Sequence, residues 1–188
     1  MRFKGLFIVV LLLLMAGCSG SNGGLKTNTL SKDDLCIVKD DDSKSKVCFG
    51  MSQTDAEKIL GTGAKDIMYK YDYGVSVVYR NDKTVSMIVL DTESKNVYST
   101  VRGMKNGDLK ENVLKLYGDT YPIVRETEPH SIDYVYDIKN KKFIGEVSFG
   151  NIDSKSNKDH LFLSAVYDEN GIVDRIYLSD VEAIRTFN

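Results

Sequence analysis

The chain has 188 residues, of which 42% are hydrophobic, and its 25 basic and 27 acidic residues give a formal net charge of −2. This balance argues against nucleic acid as a partner, because nucleic-acid-binding domains concentrate Lys and Arg. With no tryptophan and only two histidines and three cysteines, the composition also leaves few candidates for catalysis.

The pattern of the N-terminal residues predicts an export signal over residues 1–17. Arg2 and Lys4 supply a short positive start, and Leu6 to Leu14 is a run of nine apolar residues. That length is typical of the core of a signal peptide and is too short for a permanent transmembrane helix. We therefore exclude this segment from the predicted fold.

The residues that follow, Leu14-Met15-Ala16-Gly17-Cys18, resemble the lipobox of bacterial lipoproteins. Lipoboxes prefer Leu three residues before the cysteine, where this chain has Met15; the alternative is an ordinary secretory signal with a chance cysteine. The resemblance implies that Cys18 carries the lipid and becomes the mature N-terminus. Two acyl chains anchor a protein stably, so we expect an extracytoplasmic, membrane-anchored protein. Residues 18–30 are expected to form the lipidated Cys and a flexible Gly- and Ser-containing tether.

The mature chain of 171 residues is long enough for one mid-sized domain or two small ones. Without Arg2 and Lys4, 23 basic residues accompany 27 acidic ones, a net charge of −4. This charge argues against nucleic acid, and also against an anionic lipid surface, as a partner of the molecule as a whole.

Cys36 and Cys48 are predicted to form a disulfide. Short apolar segments around each cysteine flank a polar turn, which is typical of two strands of a hairpin, and exported proteins fold where disulfides persist. The alternative, a reactive or metal-binding pair, is disfavoured because the eleven intervening residues exceed the spacing of redox motifs and no histidine is near.

An internal repeat organises the rest of the chain. Val78 to Leu90 aligns without gaps on Val166 to Leu178, with five of thirteen positions identical, and both segments have the pattern of a hairpin. Upstream of each, a short helix is predicted between glycines, over Gly50–Gly61 and Gly103–Gly118. The first has a capping Ser52; in the second we expect Asn106 or Asp108 as the cap.

Further strands are predicted between helix and hairpin, at Ile67–Tyr73, Ile132–Ile138 and Lys142–Ser148, and a last helix at Val181–Thr186. The expected fold class is α+β, with two tandem repeats, each a short helix packed on an antiparallel β-sheet. The first α+β repeat is assigned to residues 31–100 and the second to residues 101–188.

The motif Gly50-Met51-Ser52-x-x-Asp55-x-x-x-Ile59-Leu60-Gly61, with its echo at Gly103, resembles the tandem-repeat fold of the β-lactamase inhibitor protein. It is also similar to the SmpA or BamE type of small envelope lipoproteins of the outer-membrane assembly machinery. The resemblance covers most of residues 46–180 and implies that the helix supports the fold while partners are recognised by the exposed sheet face and loops. It assigns no individual binding residue.

Catalytic and metal-binding patterns are weak. His130 and His160 each lie near carboxylates, but neither accompanies a nucleophile motif or a metal-ligand spacing. The run Asp40-Asp41-Asp42 lacks the glycine and the closing glutamate of a calcium loop, and lysines flank it. We therefore expect no enzyme activity, no cofactor and no metal site.

Alternating tyrosines are the strongest candidates for binding. Tyr69, Tyr71 and Tyr73 recur at period two, as do Tyr134 and Tyr136, so each row is expected on one face of a strand. An exposed tyrosine face would suit recognition, whereas the alternative is that the rings support the sheet. The predicted function is a membrane-anchored module that binds an unknown protein or peptide; the alternatives are an envelope-assembly or structural lipoprotein and a cell-wall hydrolase.

Overall fold

The computed structural model describes residues 25–145 and 157–186, so the predicted signal peptide, Cys18 and most of the predicted tether lie outside the described residues. Among the described residues the fold is mixed α and β, with mostly antiparallel sheet and three helices. The helices are α1 (Gln53–Leu60), α2 (Lys110–Tyr117) and α3 (Val181–Thr186), and short 3₁₀ turns cover Lys32–Asp34, Thr92–Ser94 and Asn157–Asp159.

Twelve strands are found in the described part of the chain. They are β1 (Cys36–Lys39), β2 (Asp42–Cys48), β3 (Ala64–Lys65), β4 (Tyr69–Tyr71), β5 (Val75–Tyr79), β6 (Val85–Leu90), β7 (Tyr98–Thr100), β8 (Ile123–Arg125), β9 (Ser131–Asp137), β10 (Lys142–Phe143), β11 (His160–Tyr167) and β12 (Val173–Asp180). Of the strand predicted over Lys142–Ser148, Lys142–Phe143 is strand, Ile144 and Gly145 are irregular, and the remaining residues lie outside the described part.

Nine of these strands form one sheet in the order β10-β9-β11-β12-β6-β5-β4-β3, with β8 also paired to β9. The two hairpins predicted from the sequence, β5–β6 and β11–β12, meet at its centre, where β6 pairs antiparallel with β12. In that register Ile88 lies opposite Leu178 and Leu90 lies opposite Ile176. All four side chains are fully buried.

A second sheet of three strands, in the order β2-β1-β7, contains the disulfide. β1 and β2 pair antiparallel with Cys36 opposite Cys48, and the two cysteines are bonded, which confirms the predicted disulfide. β7 pairs on the other side of β1. The bond therefore closes a hairpin whose inner residues Ile37 and Val47 belong to the main core.

The large sheet is covered on both faces. On one face, Ala56 and Leu60 of α1 and Val113 and Tyr117 of α2 share the main hydrophobic cluster with alternate residues of the central strands and with the three-stranded sheet. On the other face, α3 places its apolar residues in a second cluster together with Met87, Val89, Val135 and Phe162. Central strands are consequently buried along their whole length, as in β9.

α1 is joined to the turn of the β5–β6 hairpin by backbone hydrogen bonds. Gly50 N donates to Val85 O (2.8 Å), Val85 N donates to Met51 O (2.8 Å), and Gln53 N donates to Lys83 O (2.8 Å). Gly50 has φ of 81°, a conformation that glycine adopts without strain. The start of the first helix is thus fixed by its hairpin.

α2 is joined to the β11–β12 hairpin by the same three bonds. Gly107 N donates to Val173 O (2.8 Å), Val173 N donates to Asp108 O (2.8 Å), and Lys110 N donates to Gly171 O (2.8 Å). Gly107 has φ of 92°. The structural counterpart of Gly50 is therefore Gly107.

This result corrects the predicted register of the second helix, which aligned Gly103 with Gly50. α1 and α2 each contain eight residues and end at a glycine, Gly61 or Gly118. The helix cap is Leu109 rather than Asn106 or Asp108. Asn106 is instead buried. Its side-chain amide accepts a hydrogen bond from the Ser94 hydroxyl and donates one to the carbonyl oxygen of Asp174.

Candidate functional site

A groove with a volume of about 500 Å³ lies on the described surface beside α3, at the end of the β5–β6 hairpin. Val78 and Ser86 contribute from neighbouring strands and Ala183 from α3, while Lys158 and Glu182 add charge. Tyr79, Arg80, Asn81 and Asp82 complete the lining. The groove combines apolar surface with charged groups of both signs.

A smaller cavity of about 240 Å³ continues the concave surface along the same hairpin. It shares the residues of Val78–Asn81 with the groove and extends to Lys65, Asp66 and Ile67, the last of which is 79% exposed. The two cavities together form an open depression, which we call the hairpin groove. An open depression of this kind suits an extended segment of another chain better than a small molecule, because clefts that bind small molecules enclose most of the ligand surface.

Arg80 connects the hairpin to α3. Its guanidinium forms a very short ion pair with the carboxylate of Asp180, which is fully buried, and lies 3.9 Å from Glu182 Oε2. It also covers the ring of Phe49, with 5.0 Å between the guanidinium carbon and the ring centroid. Arg80 therefore links the β5–β6 hairpin to the residues at the start of α3.

The Asp180 carboxylate also accepts a hydrogen bond from Ala183 N (2.8 Å), in the first turn of α3. Burial raises the pKa of Asp180 above its ordinary value, even though Arg80 and the Ala183 amide oppose the shift. A buried carboxylate of this kind is stabilised by its partners. The buried Asp180 thus lies beside the groove, whereas the carboxylates that line it are Asp82 and Glu182, the latter 3.7 Å from Lys158 Nζ.

The tyrosines of the first predicted row do not form one exposed face. Tyr71 is 8% exposed, and its hydroxyl lies 2.7 Å from that of Tyr79. The ring of Tyr79 in turn packs edge-on against the half-buried Tyr69, with 5.1 Å between ring centroids. Burial raises the pKa of Tyr71. Tyr73 is 57% exposed because it lies beyond the strand, in a turn, with φ of 57°. Only this last ring is freely presented to solvent.

The second row is wholly in the core. Tyr134 is fully buried, and its hydroxyl donates to Gly118 O (2.6 Å), while Tyr136 is 6% exposed and packs edge-on against Phe143 at 4.9 Å. Burial raises the pKa of Tyr134. At Tyr71, Tyr134 and Tyr136 the structure supports the alternative that the rings support the sheet, because all three are buried in the main hydrophobic cluster and do not form an exposed face.

The two histidines lie at different places in the second half of the chain. His130 stacks on Tyr167, with 5.7 Å between ring centroids, and its Nδ1 lies 3.7 Å from Glu128. His160 Nε2 lies 3.6 Å from Asp137 at the start of β11. Each forms a separate pair rather than part of one constellation.

The aspartates of the β1–β2 hairpin are used in local contacts. Asp42 accepts from Ser45 Oγ (2.7 Å) and Lys44 N (3.1 Å), and the bond from Ser45 is the main reason that its pKa is lowered. Asp40 accepts from Ser99 Oγ at 2.8 Å. Within residues 25–145 and 157–186 no group of three or more His, Cys, Asp or Glu is arranged for a metal ion.

Sequence reasoning missed Arg80, Asp180, Glu182 and Lys158 as neighbours. These residues come from two hairpins and the last helix, and Arg80 is one hundred positions from Asp180. The one available signal was position 80 of the repeat alignment, where the first copy has Arg and the second has Asp168.

Over the described ranges, no helix is both long and apolar enough to cross a membrane. No protein-family model matches this chain, and neither the curated proteins nor the solved structures include a significant match to it.

Proposed function

We propose that this protein is a lipid-anchored extracytoplasmic module that binds an extended segment of a protein or peptide in the hairpin groove. The observation that carries this proposal is the groove itself, an open depression lined by apolar side chains and by charged groups of both signs. Interfaces that bind protein segments combine a buried apolar centre with polar groups at the edge. The groove offers this combination over two adjoining cavities.

The Cys36–Cys48 disulfide supports an extracytoplasmic location, because such bonds persist in oxidising compartments. The lipobox at Cys18 supports anchoring of the N-terminus in a membrane. Anchoring would restrict the groove to partners at the surface of that membrane or in the adjoining space.

We also propose that the fold consists of two tandem repeats, each a helix followed by a strand meander, as in the families that the sequence resembles. The identical backbone bonds from α1 and α2 to their hairpins support this proposal. So does the strand order, because β3, β4, β5 and β6 on one side of the β6–β12 pair correspond to β8, β9, β11 and β12 on the other. The groove would then lie between the hairpin of the first repeat and the residues Lys158, Glu182 and Ala183 of the second.

Site-specific photo-crosslinking in intact cells tests the binding function. A photoreactive residue replaces Asn81, which is exposed and lines both cavities, and a control places it at Glu111, an exposed residue of α2. We expect a discrete protein adduct from position 81 and not from position 111, because the hairpin groove and α2 lie on different surfaces. Mass spectrometry identifies the adduct.

The outcome separates the candidate functions. Adducts of the same abundant envelope proteins at both positions would indicate an assembly or structural role. A third variant with the photoreactive residue at Glu93, in the exposed loop Thr92–Asn96, tests recognition by that loop. An adduct there and none at position 81 would contradict binding in the groove. Release of cell-wall fragments by the purified protein would instead indicate a hydrolase.

A further inference from the structure

The N-terminal segment enters the folded part at a fixed point beside α2. The guanidinium of Arg102 donates to the carbonyl oxygens of Lys26 (2.9 Å) and Thr29 (2.8 Å), and its Nε pairs with Asp34 at 2.5 Å. The side chains of Arg102 and Asp34 are 4% and 1% exposed. This buried cluster determines where the tether leaves the domain.

Exposed apolar side chains lie next to that exit. Asn28 N donates to Tyr117 O (2.9 Å), and the Asn28 side chain accepts from Thr120 N (3.3 Å), so the segment follows the loop after α2. The next residue of that loop, Tyr121, is 51% exposed and stacks on Phe143, with 5.1 Å between ring centroids. Leu25, at the start of the described segment, is 37% exposed.

The turn before Phe143 is basic, with Lys139, Lys141 and Lys142 all exposed. The nearest acid in the sequence, Asp137, is buried and accepts hydrogen bonds from Lys139 N and from the amide groups of Asn140. Its charge is thereby directed into the turn. We call the surface formed by Leu25, Lys26, Tyr121, Lys139, Lys141 and Lys142 the tether face; Asp119 is an exposed acid in the loop beside it.

The length of the tether brings this face to a membrane. The seven residue steps from Cys18 to Leu25 reach at most about 25 Å when fully extended. A lipid on Cys18 would therefore keep the tether face close to the headgroups. Tyrosine rings favour the interface between headgroups and acyl chains, and lysines extend their ammonium groups to anionic lipids.

We propose that the tether face lies on the anionic surface of the bilayer and gives the anchored protein a preferred orientation. This inference rests on the lipid anchor of the proposed function. The negative net charge of the whole mature chain opposes membrane contact, so the local lysines decide which side approaches. β5 lies four strands from β9, or about 20 Å across the sheet. Contact through the tether face therefore leaves the β5 side of the hairpin groove accessible.

The absence of tryptophan from the sequence allows a direct test with the purified full-length mature lipoprotein. Tyr121→Trp introduces a single fluorescent reporter in the tether face, and Tyr73→Trp is the matched control, since Tyr73 is also more than half exposed. Each protein is mixed with vesicles that carry brominated acyl chains as quenchers, made of phosphatidylcholine with or without phosphatidylglycerol. Vesicle flotation and the acyl mass are measured in parallel.

We expect the Tyr121→Trp protein to lose about half of its emission in the anionic vesicles and less in the neutral ones, because interfacial aromatic rings meet the upper acyl chains. The Tyr73→Trp protein should keep its emission in both. Adding Lys141→Glu and Lys142→Glu to the Tyr121→Trp protein should reduce the quenching about twofold in the anionic vesicles, by removing attraction to the lipid.

Protein that floats with vesicles but shows equal quenching of the reporters at positions 121 and 73 would overturn the tether face while leaving the anchor intact. Protein that lacks an acyl mass and does not float with neutral vesicles would contradict the anchor, and with it the orientation that the anchor imposes. A reversed order, with the reporter at position 73 quenched more than the one at position 121, would show that another surface meets the bilayer.

Discussion

The two halves of the nine-stranded sheet connect helix and hairpin by the same backbone bonds but place different side chains at the connection. In the first half the residue before α1, Ser52, forms a β-bridge with Thr84, and both are polar. In the second half Leu109 forms the equivalent bridge with Ile172, and these apolar side chains are 57% and 39% exposed. The backbone arrangement therefore does not depend on which side chains occupy the bridge.

The tyrosines that end equivalent strands show the same contrast. Tyr79 lies among other aromatic rings and shares a hydrogen bond with Tyr71. Tyr167 is surrounded by ionisable groups: its ring stacks on His130, and Lys110 Nζ lies 5.2 Å from the ring centroid. Both rings pack with the main hydrophobic cluster, so the identical residue keeps its place in the core while its remaining contacts differ between the two halves.

The largest predicted effect compares the two buried acid and arginine pairs. Arg102→Leu should lower the free energy of unfolding by about 3 to 5 kcal/mol, since it leaves the buried Asp34 with its bonds from Ser31 alone and also removes the bonds from the guanidinium to three backbone carbonyl oxygens. Arg80→Leu should cost less, about 1 to 3 kcal/mol, because Asp180 keeps its bond to the Ala183 amide and has a raised pKa that favours its neutral form. Urea unfolding followed by circular dichroism measures both changes.

A double variant, Asp34→Asn with Arg102→Leu, serves as the control for the first pair. It should recover part of the loss, because the buried charge is removed together with its partner. An Arg80→Leu protein that is less stable than Arg102→Leu would contradict the ranking and would place the main constraint on the fold at α3.

The next prediction concerns the centre of the sheet, where the halves meet. Ile88→Ala and Ile176→Ala should each cost about 2 to 5 kcal/mol, since both side chains are fully buried. Because the two residues occupy corresponding positions of the hairpins, their costs should agree within about 1 kcal/mol. A much larger difference in urea unfolding would show that the two hairpins are packed unequally, against the repeat proposal.

The sequence was sufficient to predict the hairpins, the disulfide and the last helix, because each depends on local pattern. The segments around Cys36 and Cys48 are apolar and flank a polar turn, so their pairing follows from strand geometry. The register of α2 was wrong for an equally local reason: Gly103-Met104 repeats the letters of Gly50-Met51, whereas the residue with the equivalent backbone role is Gly107.

The exposure of the tyrosines could not be derived from period two. Alternation assigns Tyr134 and Tyr136 to one face of β9 but does not reveal what covers that face. Here the covering groups include the end of α2, reached through Gly118 O, and Phe143 of the next strand. The hairpin groove was beyond prediction because Arg80 and Asp180 meet only after the two hairpins pair.

The smallest predicted effect exchanges the residues at the starts of α1 and α2. Ser52 accepts a hydrogen bond from Asp55 N (3.1 Å), so Ser52→Ala should cost about 1 kcal/mol. Leu109 has the same extended backbone but no side-chain cap, and Asn112 N occupies the position of Asp55 N. Leu109→Ser should therefore stabilise the protein by about 0.5 to 1 kcal/mol, because the new hydroxyl can accept from Asn112 while an exposed apolar side chain is removed.

Thermal unfolding of the two variants and of Leu109→Ala, which removes the apolar group without adding a cap, measures the capping contribution. If Leu109→Ser is no more stable than Leu109→Ala, the two helix starts differ in geometry, and their correspondence is limited to the backbone bonds.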